Sequence, residues 1–251
     1  MGEAIIKGLS GHTIYVCESN IKRLKYLRSK YRVNPSSIKE ALAVSSIVIL
    51  AVKPQDMKDV LMQISASYSS MGNRIFISIA AGLTTKFFER HLIGKAKIVR
   101  CMPNLPALIG EGITGLCPGR YAKLADLKTA EKVLSSIGKT LIVSEALLDP
   151  LTAVSGSGPA YVFLFVEQWM AAAKSLGFNE KQARLLVYST LKGSAHLLDK
   201  SELDAATFRA KVTSKGGTTQ AAMDVFGKGK FDQLMKKALL AARNRAKQLS
   251  T

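Results

Sequence analysis

The residues with the clearest chemical potential lie in one short loop, VTSKGGTT, between two predicted helices near the end of the chain. Its glycines leave backbone N–H groups open to a ligand, and the N-terminus of the following helix attracts an anion. The candidate binding residues are Ser214, Gly216, Gly217, Thr218 and Thr219. The loop would suit a small carboxylate; the alternative is a glycine C-cap followed by a threonine N-cap.

Four other segments are candidates because each follows a predicted strand, and α/β sheets bind ligands outside the carboxyl ends of their strands. These segments are CESN (17–20), AVKPQ (51–55), AAGLTT (80–85) and CMPNLPALIGEGITG (101–115). Lys53 is placed to meet an anion or a ribose, and Asn104 can offer an amide to a carboxamide or carbonyl. Each segment alone also fits an ordinary turn. Four at one sheet edge indicate a dinucleotide site.

The histidines and cysteines do not indicate a metal centre. The chain has three of each, and none shows the spacing of metal ligands, so we expect no metal. The sparse, odd cysteine set indicates free thiols in a reducing compartment, with Cys17 and Cys101 expected to be buried. The loop offers no evident general base or nucleophile. That absence fits hydride transfer, in which the cofactor reacts and the protein orients it.

The elements needed to position these segments are visible in the first part of the chain. Apolar runs predict strands at 13–17, 46–52, 74–80, 97–101, 112–117 and 140–144. Helical patterns lie between them, at 21–30, 56–66, 85–91 and 122–137. The alternation predicts a doubly wound, Rossmann-like α/β domain over residues 1–149 that binds a nucleotide.

After Asp149 the strand patterns stop, and residues 150–251 predict an all-helical second domain. Its helix at 159–176 is apolar all round and therefore needs cover on every side, which a second subunit can provide. Glu167 and Gln168 lie at its centre, where lipid disfavours them. We therefore expect a cytoplasmic protein without a membrane partner.

The net charge of +18 has three interpretations: nucleic-acid binding, attraction of small anions, or a basic solvated surface. The basic residues are spread along the chain, with no dense run and no alternation with aromatic residues. We therefore expect no nucleic-acid partner.

Five motifs in one order resemble those of pyrroline-5-carboxylate reductases: VILAVKPQ, ISIAAGLT, RCMPNLPALIGEGITG, AVSGSGPAYVF and VTSKGGTTQAA. The resemblance covers nearly the whole chain. It implies hydride transfer from NADPH (or NADH) to the C=N carbon of 1-pyrroline-5-carboxylate, which gives L-proline in the last step of proline biosynthesis. It also implies a homodimer, or a larger ring of dimers, formed through the helical domain.

The resemblance further implies roles for individual residues. The loop residues named above would hold the substrate, and Thr219 would be catalytic by hydrogen-bonding the ring nitrogen. The cofactor would contact Met1, Ser19, Asn20, Ala51, Val52, Lys53, Pro54, Ala80, Ala81 and Asn104. Glu18 favours NADH, whereas Ser19, Asn20, Lys22 and Arg23 could accept the 2′-phosphate of NADPH.

The chain departs from the family pattern at two places. Lys215 stands where the family usually has proline, and Met1-Gly2 matches only the end of a glycine-rich turn that normally follows a first strand. Because the other motifs are intact, we expect the functional product to start upstream. Two alternatives remain open: a non-catalytic oligomeric relative that has lost cofactor binding, and another NAD(P)-dependent imine or hydroxy-acid reductase.

Overall fold

The computed structural model describes residues 1–67 and 72–250, which form two compact units. Unit 1 comprises Met1–Pro159 and Ala241–Thr251, and unit 2 comprises Ala160–Leu240. The strand patterns end near Asp149, but the first unit extends to Pro159, and Ala153 in this added segment is buried. The last turns of the C-terminal helix also belong to unit 1.

The strands of unit 1 form two sheets. A parallel pair contains β1 (Tyr15–Val16) and β2 (Asn34–Pro35). A five-stranded sheet contains, in spatial order, β3 (Ile47–Leu50), β4 (Ile75–Ser78), β5 (Lys97–Met102), β6 (Gly112–Pro118) and β7 (Gly138–Ile142). All the predicted strands are present, and the Rossmann-like class is confirmed.

The larger sheet is mixed, since β6 runs antiparallel to β5 while β3, β4 and β5 are parallel. A parallel neighbour requires a long crossover connection. The segment between Met102 and Gly112 holds only a 3-10 turn, Leu105–Ile109, so the chain must reverse there. This reversal was not predicted from the apolar strand pattern.

The helices of unit 1 cover both faces of the larger sheet. They are α1 (Gly2–Gly8), α2 (Ile21–Tyr31), α3 (Ile38–Val44), α4 (Met57–Ser67), α5 (Thr85–His91), α6 (Leu124–Leu134) and α7 (Leu148–Leu151). Helices α1 and α6 pack on the core that contains Ile77, and α4 and α5 pack on the core that contains Phe76. Successive residues of β4 thus face opposite layers, as a covered strand requires.

Unit 2 contains α8 (Gly158–Ser175, from Ala160 onwards), α9 (Glu180–Asp199), α10 (Ala205–Lys211), α11 (Thr218–Lys228) and α12 (Phe231–Leu249, as far as Leu240). Its buried apolar residues are Ala173, Ala183 and Val187, whereas many larger apolar side chains are exposed. Across residues 1–67 and 72–250, no helix combines the length and apolar character needed to cross a membrane.

Cys17 differs from its expected burial. It follows β1 and is exposed, whereas Cys101 in β5 is buried. The cause is the position of each strand, because β1 pairs with β2 on one edge only, while β5 lies between two neighbours.

Candidate active site

The segment after β3 lies beside the start of the chain. Met1, Ala51 and Val52 line one cavity of about 1420 Å³, together with Glu18 at the end of β1. Gly2 lies against Ala51, because a Cβ added at Gly2 would be 3.3 Å from the Ala51 Cβ. Lys53 and Pro54 continue into a 3-10 turn that leads to α4. Small residues therefore surround this part of the cavity.

The segment after β4 is held in a tight turn. Ala80 is buried, and Ala81 is exposed at the sheet edge. Gly82 has a φ of +79°, and a Cβ there would lie 2.6 Å from the carbonyl oxygen of Leu249. Only glycine fits that position without strain. The end of α12 thus fixes the turn that carries the two alanines.

Asn104 already has a structural partner. Its Oδ1 accepts a hydrogen bond from the Ile113 N–H at 2.9 Å, which ties the loop after β5 to β6. The residue is 9% exposed. The group that can meet a ligand carbonyl is therefore its Nδ2, since the carbonyl end of the amide is engaged.

Asn20 and Glu18 are joined by local hydrogen bonds at the end of β1. Asn20 caps α2, and its side chain accepts a hydrogen bond from the Arg23 N–H at 3.0 Å. The Asn20 N–H donates to the Glu18 carboxylate at 2.9 Å. The Glu18 carboxylate therefore points back toward its own loop.

A cationic and aromatic cluster surrounds Glu3 on α1. Tyr31, Tyr26, Lys30 and Arg23 from α2 all donate hydrogen bonds to its carboxylate. The Tyr31 hydroxyl, followed by the other three donors, lowers the pKa of Glu3 to about 2 against the opposing effect of burial. Arg23 is thus engaged with Glu3, and α1 is fastened to α2.

The sequence analysis did not identify Arg100 as a buried charged residue. Arg100 on β5 is 6% exposed and lies 3.1 Å from Glu145 and 3.8 Å from Asp149. The backbone N–H and hydroxyl of Thr85 also donate to Glu145, at 2.7 and 2.8 Å. Burial by itself raises the pKa of Glu145. The hydrogen bonds from Thr85 and from the Arg100 guanidinium outweigh burial, so the pKa of Glu145 lies below its usual range. The sequence signal that could have identified it is the arginine within the strand KIVRC, since a charge in a buried strand requires a partner.

The glycine loop of unit 2 ends at the N-terminus of α11. Gly216 has a φ of +73°, and the Gly217 N–H donates to the Ser214 carbonyl at 3.0 Å. No side-chain hydrogen bond caps α11 in the described structure, so its first backbone N–H groups, including that of Thr219, face outward. An α-helix N-terminus with open N–H groups favours an anion. A carboxylate therefore suits this loop.

The candidate residues divide between the units. The cofactor candidates lie in unit 1, while Ser214, Gly216, Gly217, Thr218 and Thr219 all lie in unit 2. Met1, Ala51 and Val52 share a cavity, whereas Ser19, Asn20, Lys53, Pro54, Ala80, Ala81 and Asn104 are outside its lining.

A Rossmann-like unit with small residues at its sheet edge, followed by helices, is typical of NAD(P)-dependent oxidoreductases. Residues 1–82 match the family model for NADP oxidoreductase, coenzyme F420-dependent. Residues 145–249 match the model for pyrroline-5-carboxylate reductase dimerisation.

Relatives cover the full length of the chain. The pyrroline-5-carboxylate reductase of Mycobacterium tuberculosis is 35% identical over 99% of this chain and 93% of its own length. The structure of the Coxiella burnetii enzyme has a TM-score of 0.93 at 34% identity and covers 100% of this chain and 95% of that one. The NADP-bound Plasmodium falciparum pyrroline carboxylate reductase has a TM-score of 0.83 at 28% identity, covering 99% and 92%. The chain belongs to the pyrroline-5-carboxylate reductase family.

Proposed function

We propose that the chain reduces 1-pyrroline-5-carboxylate to L-proline with NADPH. Full-length relatives of this activity, at 34 and 35% identity, carry the proposal. The loop before α11 supports it because the substrate is a small carboxylate and the loop offers outward N–H groups. The small residues Ala51, Ala80 and Ala81 fit the flat ring and ribose of a nicotinamide cofactor, which supplies the hydride when bound.

The protein contributes mainly by position. The N–H groups at the start of α11, with Ser214 and Thr218, hold the substrate carboxylate, and Gly216 and Gly217 keep the backbone close to it. Thr219 hydrogen-bonds the ring nitrogen and relays a proton to it from solvent. Fixing the imine carbon at the hydride donor contributes up to about 7–11 kcal/mol in favourable cases.

On the cofactor side, each residue has a separate task in the proposal. The Asn104 Nδ2 meets the nicotinamide carboxamide, and Lys53 and Pro54 shape the ribose pocket next to Ala51 and Val52. Met1 lies at the pyrophosphate, with Ser19 and Asn20 at the adenosine ribose. NADPH is preferred over NADH because Lys22, at the start of α2, favours a 2′-phosphate.

The decisive assay is NADPH oxidation with 1-pyrroline-5-carboxylate, compared between the wild-type chain and two variants of Thr219. Thr219→Ala should lower kcat about 100-fold, in the range of a lost proton-transfer group, with unchanged NADPH binding. Thr219→Ser keeps the hydroxyl and should retain most of the activity. Equal activity of wild type and Thr219→Ala would refute the assigned role. Better turnover of another imine or hydroxy acid would favour a different reductase.

We further propose that the active form is a cytoplasmic homodimer or a ring of dimers. The match of residues 145–249 to a dimerisation model supports self-association. The exposed apolar side chains of unit 2 support it independently, because exposed apolar patches mark interaction sites.

A further inference from the structure

The turn between β4 and α5 is attached at both of its ends. Before it, the Ala80 N–H donates to the Ser78 hydroxyl at 3.3 Å, at the buried end of β4. After it, the Thr85 N–H and hydroxyl both donate to the Glu145 carboxylate. Between these two points, Ala81 is exposed. The turn therefore presents one small residue to solvent from a segment whose ends are fixed.

The middle of the turn lies against the end of α12. The Leu249 carbonyl oxygen occupies the space where a side chain would begin at Gly82, since it would lie 2.6 Å from a Cβ added there. Leu249 is the last residue of α12, and its side chain is exposed. The carbonyls of a last helical turn lack intrahelical partners, and helix ends fray unless they are attached. The contact with Gly82 therefore depends on the residue that follows, Ser250.

Ser250 attaches this helix end to the body of unit 1. Its hydroxyl lies 2.9 Å from the Asp149 carboxylate on α7 and 3.1 Å from the Ala246 carbonyl. A hydroxyl has one proton to donate, and a charged acceptor makes the stronger hydrogen bond. Ser250 and Asp149 are 101 positions apart in the chain. The bond is thus a tertiary contact and not a local helix cap.

Arg100 joins the two attachments. Its guanidinium lies 3.1 Å from the Glu145 carboxylate and 3.8 Å from the Asp149 carboxylate. The first carboxylate holds Thr85, and the second holds Ser250. Arg100 is buried on β5, the strand next to β4, and a buried charge is costly unless it is paired. The guanidinium therefore keeps both carboxylates in place. We call Arg100, Glu145, Asp149 and Ser250 the turn clamp.

We propose that the turn clamp positions the cofactor turn, and that Ser250 and Asp149 act as positioning residues for Ala81. They act through the Leu249 carbonyl, and neither touches the cofactor. The inference rests on the proposed contact of Ala80 and Ala81 with NADPH. A binding contact has to be held within about 0.5 Å of its productive geometry, which supporting hydrogen bonds achieve. Loss of either residue should thus loosen the turn without removing a contact to the cofactor.

The first test is a fluorescence titration of the protein with NADPH in the absence of substrate. Ser250→Ala should raise the dissociation constant about tenfold, the size expected for one lost hydrogen bond to a charged group. Ser250→Thr keeps the hydroxyl and should bind NADPH as tightly as the wild type. Ser175→Ala is the matched control, because Ser175 ends α8 and its hydroxyl donates to the Ala172 carbonyl. This control should bind NADPH with unchanged affinity.

Steady-state kinetics separate positioning from a general structural defect. In Ser250→Ala, KM for NADPH should rise by about the same factor as the dissociation constant. The kcat at saturating NADPH and the KM for 1-pyrroline-5-carboxylate should stay at their wild-type values. A fall in kcat together with a fall in Tm would show a structural role instead and would overturn the proposal.

A double-mutant cycle tests whether the two positioning residues act through each other. Asp149→Ala should raise the dissociation constant for NADPH at least as much as Ser250→Ala does. The double variant should bind no more weakly than Asp149→Ala alone, because both substitutions remove the same contact. Strictly additive effects would contradict the proposal, as would unchanged NADPH binding in Ser250→Ala.

The titration also distinguishes this inference from the proposed function. A wild type that binds NADPH, is weakened by Ser250→Ala and fails to reduce 1-pyrroline-5-carboxylate would remove the proposed function alone. A wild type that reduces the imine while Ser250→Ala binds NADPH normally would remove this inference alone. A wild type that binds no NADPH would overturn both.

Discussion

Gly217 connects the geometry of the glycine loop before α11, the proposed carboxylate site, to a measurable effect. Its backbone has a φ of −81° and a ψ of 172°, which alanine can adopt, but an added Cβ would lie 2.4 Å from the Ser214 Oγ. Gly217→Ala should therefore displace the Ser214 hydroxyl and leave the fold intact. We expect KM for 1-pyrroline-5-carboxylate to rise about tenfold, which corresponds to about 1.4 kcal/mol.

Gly227 offers a matched control within the same helix. A Cβ at Gly227 meets no atom within 4 Å. Gly227→Ala should leave KM unchanged and stabilise α11 by up to about 1 kcal/mol. Steady-state kinetics and thermal unfolding of both variants separate the two effects. A KM change of equal size in both would show that the loop geometry has no special role.

The buried Arg100 makes a second prediction at the scale of single residues. Glu145→Ala removes its nearest carboxylate and leaves the guanidinium with Asp149 alone, at 3.8 Å. We expect a loss of about 2 kcal/mol in the free energy of unfolding, since Glu145 is partly exposed and its contribution is screened. The exposed pair Lys174–Glu180 is the control, and Glu180→Ala should cost less than about 0.5 kcal/mol. Equal costs in urea unfolding would contradict the prediction.

At the scale of elements, the contact of α1 with α2 depends on the ionisation of Glu3. The Tyr31 hydroxyl and the other donors hold the pKa of Glu3 at about 2, below its ordinary value of 4.5. A lowered pKa in the folded state means that this stabilisation is complete above pH 4.5 and is lost as pH falls through 2.

Glu3→Gln tests that window. The Tm of the variant should be lower than that of the wild type above pH 4.5, and the difference should shrink toward zero near pH 2. The measurement is thermal unfolding of both proteins across this range. A Tm difference that stays constant with pH would show that the carboxylate charge is not what holds α1 to α2.

The sequence predicted the bounds of individual helices and strands better than it predicted how the strands pair. Helix α5 has the predicted bounds, because its apolar periodicity and its Thr84 cap are local. Helix α3 was missed, although Ser37 and Glu40 form a capping box that the sequence displays. The direction of β6 and the exposure of Cys17 depend on pairing between distant segments, which no local pattern encodes.

The sequence located several candidate residues but did not show which partners they bond. Ala51, Ala80 and the glycine loop lie at element ends, where local pattern suffices to find them. The Arg100–Glu145 ion pair joins residues that are 45 positions apart in the chain. The hydrogen bond from Ile113 to Asn104 spans nine positions but depends on the reversal between β5 and β6, so local sequence pattern predicted neither contact. The roles given to the site residues stay predictions.

At the scale of the whole molecule, unit 2 exposes a run of large apolar residues on α8. Phe163 is 57% exposed and Leu164 is 58% exposed. If a second subunit covers this helix, Leu164→Glu should lower the oligomer mass, since a charge buried in an interface is costly. Leu124→Glu, at the 65% exposed first position of α6, is the control and should not change the mass. Size-exclusion chromatography with light scattering measures both. A wild-type monomer at micromolar concentration would contradict self-association.

The reversal between β5 and β6 has a consequence for the order in which the molecule folds. These two strands close through the short segment from Met102 to Gly112, whereas the pairing of β3 with β4 must close across all of α4. Because the entropy lost on closure grows with the length enclosed, the β5–β6 hairpin is the nucleation site with the lowest entropic barrier in the sheet. Asn104 accepts a hydrogen bond within that hairpin, so we expect the loop that carries it to take shape early, before the rest of the sheet condenses around it.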